Sequence, residues 1–366
     1  MIDRRLITNF DWGLILLVLF ITGIGVVNIS SATASYAMQD TSYALRQVYW
    51  TLIGVGVVIL VCSIDYHLFK DMAYWFYGVL ILLLLVVLLM GKTSMGATRW
   101  LHLGFVSFQP SELMKIVIIM VYAHYLADFT APGGLTLKDL INPFLLLAAP
   151  AILIMKQPDL GTATLVILIA FSMLLYAGVR FRSVITLLLA GFPAIFLGWH
   201  YYLRGYQKER LLNFFNPERD PLGSGYHIIQ SKIAVGSGGL TGKGFMQGTQ
   251  TQLRFLPEQH TDFAFSVFAE EWGFVGCLVM LLLYLALILW GLNIARRCND
   301  HFGSLLAVGV TAMLFWHIVI NVGMVIGLFP VVGVPLPLFS YGGTSMITSM
   351  VGLGILLNIR MRKFMF

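Results

Sequence analysis

Residues 72–90 read Met-Ala-Tyr-Trp-Phe-Tyr-Gly-Val-Leu-Ile-Leu-Leu-Leu-Leu-Val-Val-Leu-Leu-Met, without one charged side chain. A helix needs about 20 mostly apolar residues to cross the hydrocarbon of a bilayer, and this stretch has that length and character. Working outward from it, similar runs occur at 12–31, 48–64, 112–127, 142–155, 160–178, 183–203, 263–295, 303–328 and 341–359, which makes ten candidate spans. The run at 142–155 is short and holds Asn142, Pro143 and Pro150.

The whole chain agrees with that reading. Of its 366 residues, 58% are hydrophobic and 11% charged, and the mean hydropathy is +0.85. A soluble domain carries about 25% charged residues, and a disordered chain needs low hydrophobicity, so both classes are excluded. Cys62, Cys277 and Cys298 lie in or at the end of apolar runs and form no C-x-x-C pair. Neither a disulfide framework nor a redox or zinc motif follows from them. The net charge of +6 does not gather on a soluble face, so no nucleic-acid partner is expected.

The expected fold is an all-α polytopic integral membrane protein with about ten transmembrane helices in one domain, residues 1–366. Spans 1–7 occupy 1–203, a polar, glycine-rich segment at 204–262 forms one long loop, and spans 8–10 occupy 263–366. Arginine and lysine in short loops mark the cytoplasmic side. With the N-terminus inside, that side holds Arg4, Arg5, Lys70, Lys138, Arg180, Arg182, Arg296, Arg297, Arg360, Arg362 and Lys363, eleven of 23 basic residues. Both termini are then cytoplasmic and the 204–262 loop faces outward. The first run resembles a signal peptide, with Arg4 and Arg5 ahead of it and small residues at 31–34. It exceeds the usual 7–15 residues of a signal core and is read as an uncleaved first helix.

Charges inside spans cost at least about 2.5 kcal/mol and mark function by default. Four polar groups stand out. In Phe108-Gln109-Pro110-Ser111-Glu112-Leu113-Met114-Lys115, Glu112 and Lys115 share a helix face. They either line a polar cavity or form a buried ion pair that fixes packing. Lys156-Gln157-Pro158-Asp159-Leu160-Gly161-Thr162 joins two spans that look too short to reach the surface. Irregular backbone at such depth needs protein or a wet cavity around it. Its bland reading is a tight turn with Asp159 as helix N-cap. Phe339-Ser340-Tyr341-Gly342-Gly343-Thr344-Ser345 follows three prolines and opens a helix; it offers N–H groups to an anion or packs closely through small residues. Leu256-Pro257-Glu258-Gln259-His260-Thr261-Asp262-Phe263 leads into the eighth span, where Asp262 is either functional or its N-cap. Counting spans places all four groups at the outer side, which predicts one outward-facing cavity. His317 and Asn321, four apart, are read as an interhelical hydrogen-bonding pair, and His124 and His200 as structural. No set of residues has metal-site spacing, and no nucleotide-binding or nucleophile-elbow motif is present.

Within the long loop, Gly225 to Ala234 is amphipathic and ends at Gly236-Ser237-Gly238-Gly239, a helix-stop pattern. Such a helix would lie at the interface with Lys232 toward headgroups. A loop of this length is otherwise uncommon unless functional.

These stretches resemble the SEDS family (shape, elongation, division and sporulation), and its elongation branch more than its division branch. The likeness rests on 108–115, 156–162, 220–234, 256–263 and the run from Asn321 through 330–337 to 340–345. The resemblance implies a peptidoglycan glycosyltransferase that polymerises lipid II at the outer face of the bacterial inner membrane. It implies undecaprenyl-linked lipid II and membrane lipids as binding partners. A class B penicillin-binding protein and the elongation machinery are the implied protein partners. It maps the family's essential aspartate onto Asp262, and its membrane-embedded pair onto Glu112 and Lys115.

The expected chemistry joins C1 of one sugar to the 4-hydroxyl of another, with Asp262 as general base, its pKa raised by partial desolvation. Positive charge for the leaving pyrophosphate is expected from Lys115, Lys156, Arg210 and Lys243, with Asp159 and Ser340 as further binding residues. No cofactor is demanded, though a divalent cation (Mg or Mn) bridging Asp262 and the pyrophosphate is compatible. A lipid II flippase would need polar groups down to the cytoplasmic side. A non-catalytic scaffold for a penicillin-binding protein would need no charges within spans.

Overall fold

The computed structural model describes residues 9–34, 42–90, 92–94, 97–103, 106–129, 134–197, 200–201, 205–216, 220, 224–256 and 258–363. Ten helices coincide with the ten candidate spans: α1 Trp12–Ala34, α2 Ser42–Ser63, α3 Tyr66–Met90, α4 Pro110–Ala127, α5 Ile141–Lys156, α6 Leu160–Ala177, α7 Phe181–Leu197, α11 Ala264–Arg297, α12 His301–Val325 and α13 Gly343–Arg362. Seven of them are long and apolar enough to cross a membrane on length and composition alone. Of the rest, α5 and α7 are short, at 16 and 17 residues, and α4 carries Glu112 and Lys115.

Local chemistry sets the ends. Pro110 opens α4 in the first turn, where its missing N–H costs nothing. Asp300 accepts from the N–H groups of Phe302 and Gly303 at the start of α12. Pro150 lies inside α5 and cannot donate to the carbonyl four residues back. That carbonyl, on Leu146, instead accepts from Tyr77 Oη of α3 at 2.9 Å, so a neighbouring helix repairs the defect. α4, α12 and α13 are the most buried spans, with the remaining helices packed around them.

The ends of the helices sort by polarity. At one end, Asp11 meets Trp290 Nε1 at 2.9 Å and Arg360 at 3.5 Å. Lys70 pairs with Asp128 at 2.8 Å, and Arg362 with Asp65 at 3.4 Å. Asp65, in the loop between α2 and α3, is pushed up by burial, but hydrogen bonds from His67 and the charge of Arg362 outweigh that and hold its carboxyl below the usual range.

The opposite end carries one feature that an all-helical expectation does not contain, and an ordered long loop. A three-stranded antiparallel sheet, β1 Lys92–Ser94, β2 Ala97–Leu103 and β3 Val106–Phe108, fills the connection from α3 to α4. The long loop is folded as α8 Gly205–Phe215, α9 Ser224–Ser237 and α10 Thr249–Gln252. α9 matches the amphipathic stretch and rests on the bundle: Ser231 Oγ is 2.7 Å from the Val325 carbonyl and 2.9 Å from Ser266 Oγ. Lys232 is exposed and its side chain lies over Gly327.

α11 has 34 residues, about 51 Å at 1.5 Å per residue, against about 30 Å of hydrocarbon. It breaks at Gly273, where φ is 63° and ψ −162°, a conformation essentially reserved for glycine. The broken ladder is mended by the loop after α9. The carbonyls of Glu270 and Glu271 accept from the N–H groups of Lys243 and Gly244, both at 3.0 Å. The N–H groups of Phe274 and Val275 donate to Gly239 and Leu240, at 2.9 and 3.0 Å. A Cβ at Gly273 would sit 2.3 Å from the Gly242 nitrogen. The first part of α11, from Ala264 to Glu271, is buried throughout and carries Asp262 just ahead of it.

Candidate functional site

The four polar groups meet in one cavity of about 820 Å³. Gln109 and Glu112 come from the start of α4, Asp159 and Thr162 from the start of α6, and Thr261 and Asp262 from the turn before α11. Gly333 to Pro335 and Tyr341 to Ser345 close another wall, and α2 adds Arg46, Tyr49, Trp50 and Ile53. A volume of this size is in the range of ligand pockets. Trp50 packs on the start of α13 so closely that a Cβ on Gly343 would lie 2.5 Å from its indole.

Asp262 is half-buried at the cavity wall. Its carbonyl accepts from Asn321 Nδ2 at 3.0 Å, and the same amide donates to the Val334 carbonyl at 2.7 Å. The N-cap position of α11 falls on Phe263, with no side chain capping the helix, so the capping role for Asp262 does not hold. Asp159 differs. It is buried and does cap α6, accepting from Thr162 N at 3.3 Å, Thr162 Oγ1 at 2.9 Å and Gln109 Nε2 at 2.9 Å. The capping reading of Asp159 is realised, on the cavity wall.

Glu112 and Lys115 pair at 2.7 Å, but only Glu112 lines the cavity. Lys115 is fully buried and its Nζ continues to His317 Nε2 at 2.8 Å. It stands behind Glu112 and cannot meet a pyrophosphate in the cavity. His317 bonds across to Lys115 of α4, whereas Asn321 bonds to the turn before α11 and to the segment before α13, so the two are not an interhelical pair.

Other expected cations are also elsewhere. Lys156 is exposed in the last turn of α5 and does not line the cavity. Lys243 is committed to Glu270 Oε1 at 2.7 Å and Thr249 Oγ1 at 2.8 Å, in a second polar cluster beside the Gly273 break. Ser340 is buried and tied into its own turn, its Oγ accepting from Leu336 N at 3.0 Å; its neighbours Tyr341 to Ser345 line the cavity instead. The backbone of Arg210 belongs to α8, and its side chain lies outside the described residues.

Among the described residues, the basic side chain that does line the cavity is Arg46, exposed on α2 with its guanidinium 5.9 Å from the Tyr43 ring centroid. The apolar run of the second span begins at residue 48, whereas α2 starts at Ser42. Extending that helix toward its N-terminus brings Arg46 into view. The buried Glu270–Glu271 pair in α11 is also missing from the sequence reading, although charges inside a predicted span are themselves the signal. In the turn ahead of α11, burial pushes the His260 pKa below its usual value, against the opposing pull of Glu258.

The cavity therefore offers carboxylates, one guanidinium and an apolar side formed by Trp50, Ile53, Leu165 and Val334. Such a wall suits a ligand with hydroxyls, an anion and an apolar tail.

Residues 11–364 match the family described as "Cell cycle protein", the FtsW/RodA/SpoVE group. The chain is 44% identical over 329 residues to the peptidoglycan glycosyltransferase MrdB of Escherichia coli K12, covering 89% of this chain and 88% of that protein. It is 35% identical to the peptidoglycan glycosyltransferase RodA of Treponema pallidum, covering 98% and 99%. Among solved structures, it resembles a chain of a peptidoglycan synthase complex that coordinates polymerization and crosslinking, with a TM-score of 0.83, 32% identity and coverage of 98% and 99%. It also resembles the rod shape determining protein RodA of Thermus thermophilus, with a TM-score of 0.73, 31% identity and coverage of 97% and 98%.

Proposed function

The chain belongs to the FtsW/RodA/SpoVE family, and on that premise we propose that its cavity is the active site of a peptidoglycan glycosyltransferase. The chain is a multi-pass bacterial membrane protein that polymerises lipid II into glycan strands during cell elongation. The observation that carries the site is the convergence of Glu112, Asp159 and Asp262, from three separate segments, on one cavity at one end of the helices.

In the reaction, the 4-hydroxyl oxygen of one sugar bonds to C1 of the other. The bond from C1 to the lipid pyrophosphate breaks, and its electron pair leaves on the phosphate oxygen. Asp262 takes the hydroxyl proton as general base. Arg46 takes the place first expected for Lys115 and balances the charge on the leaving pyrophosphate. The apolar side beside Trp50 and Ile53 leads toward lipid and suits the start of a polyprenyl tail. Among the described residues no three His, Cys, Asp or Glu side chains gather to hold a metal. Asp262 would be the residue to hold a magnesium or manganese ion brought with the substrate, and the ion would supply positive charge for the leaving pyrophosphate. The setting is the cytoplasmic membrane with the cavity outward, and the partner a class B penicillin-binding protein that crosslinks the strands.

Purified chain in proteoliposomes, supplied with lipid II, should yield glycan polymer. Asp262→Asn should accumulate normally and lose at least about two orders of magnitude in rate, the usual worth of acid–base catalysis. Translocated but unpolymerised lipid II from wild type would identify a transporter instead. Turnover by folded Asp262→Asn within a few-fold of wild type would end the role of Asp262 as base.

A further inference from the structure

Three side chains behind the cavity wall form a line. It starts at His317, whose Nδ1 lies 2.7 Å from the Met313 carbonyl oxygen. A carbonyl only accepts, so Nδ1 carries the proton and, in the neutral ring, Nε2 presents a lone pair. Lys115 Nζ lies 2.8 Å from that lone pair and 2.7 Å from Glu112 Oε1. The ammonium is thus held between two acceptors from different helices, α4 and α12, with no exposure of its own. Glu112 is gripped by one oxygen only. Its other oxygen, Oε2, is buried and has no hydrogen-bond partner among the described residues, and the residue is 6% exposed on the cavity wall.

A buried acceptor without a partner is costly, and a native chain retains one where something else satisfies it. We propose that Glu112 Oε2 is a preset acceptor for a hydroxyl or amide N–H on the sugar part of the substrate. His317 is the positioning residue that holds it in place through Lys115. This rests on the reading of the cavity as a glycosyltransferase site. Charge decides the class of ligand. Lys115 already neutralises Glu112, so the subsite gains little from a second cation. The unpartnered oxygen has only lone pairs to offer and would repel a phosphate oxygen. A neutral donor is what fits, and it places the sugar against α4, with the pyrophosphate toward Arg46 on α2.

Full-length chain in proteoliposomes, with lipid II as substrate, tests this. His317→Leu removes the acceptor for Lys115, frees the ammonium to turn, and should raise KM by about tenfold or more, the effect of losing one charge-assisted hydrogen bond, while kcat changes less. His317→Gln, whose carbonyl oxygen can reach Lys115, should bring KM back to within about threefold of wild type on the same scale. If His317→Leu does not accumulate, His317→Asn, polar but too short to reach Lys115, should show the raised KM in its place. A KM unchanged in the Leu or Asn variant, or a Gln variant no better than Leu, overturns the proposal. Wild-type chain that makes no polymer counts against the proposed function itself; wild type that polymerises while the His317 variants keep their KM counts against this subsite alone.

Discussion

Asn321 Nδ2 donates to the main-chain carbonyl of Asp262 at 3.0 Å, across 59 residues of sequence. One amide on a buried span therefore holds the backbone of the residue whose carboxylate faces the cavity. Its second bond, to Val334 at 2.7 Å, ties the adjoining 333–335 segment of the wall to the same point. Asn321→Leu should keep the helix and release both segments. We expect a loss of polymerising activity of tenfold or more, about the effect of two hydrogen bonds at roughly 1 kcal/mol each, with lipid II turnover and membrane accumulation as the paired measurements. Activity equal to wild type would show that the anchor is dispensable.

Glu112 and Lys115 should separate folding from function. Lys115→Met leaves a carboxylate without its counter-charge and should destabilise the protein by about 3–5 kcal/mol, seen as lost accumulation or a lower thermal midpoint in detergent. Adding Glu112→Gln to Lys115→Met should restore accumulation, because the charge is gone from both partners. Polymerisation should stay impaired in the double variant. Full recovery of turnover would mean that the pair serves packing alone.

Arg46 is expected to act on the charged end of the substrate. Arg46→Ala should lower turnover of lipid II by about 10- to 100-fold, the range for one hydrogen bond to a charged group. Arg46→Lys should retain part of it, keeping the charge without the planar fork. Its exposure means that neither substitution should reduce the amount of protein in the membrane. Unchanged turnover in Arg46→Ala would remove it from the site.

Gly273→Ala should fail as a protein rather than as an enzyme. The backbone conformation disfavours any side chain, and a Cβ would strike the Gly242 nitrogen at 2.3 Å. We expect a cost of about 3 kcal/mol or more. A Cβ added at Gly23 would meet nothing within 4 Å, so Gly23→Ala is the control and should accumulate like wild type. Equal accumulation of the two variants would show that the break is not needed.

Sidedness can be read with a membrane-impermeant thiol reagent in a chain whose native cysteines are replaced. Ser237→Cys, exposed at the end of α9, should label in intact cells. Arg182→Cys, exposed at the start of α7, should label only after the cytoplasmic membrane is opened. The reverse pattern would invert the orientation drawn from the basic short loops.

Much of this architecture is legible because a bilayer leaves the sequence few choices. Apolar runs, a few of them short, mark all ten span helices, and the parity of the count brings residues 112, 159, 262 and 342 to one end. What a one-dimensional reading lacks is direction. Glu112 and Lys115 three residues apart must share a face, but spacing does not say which reaches the cavity and which reaches His317. Asp159 and Asp262 look alike as candidate caps, and only the path of the chain after each separates them. Lys243 looks like a free cation in a polar loop until Glu270, 27 residues on, is brought beside it. The Gly273 break hides inside a single predicted span, two residues past Glu271, because its cause is a distant glycine segment rather than a local proline.

That break has a consequence for the order in which the chain is made. A helix interrupted at Gly273 leaves two carbonyls and two N–H groups without partners inside it. The segment that receives them, Gly239 to Gly244, lies N-terminal to α11 and so leaves the ribosome first. When Gly273 follows, its partners have already been synthesised, and each new chain can close the junction as soon as its eighth span is delivered. A circularly permuted chain that placed residues 239–244 after α11 would reverse this schedule, leaving a broken helix to wait with open backbone groups at the edge of the membrane.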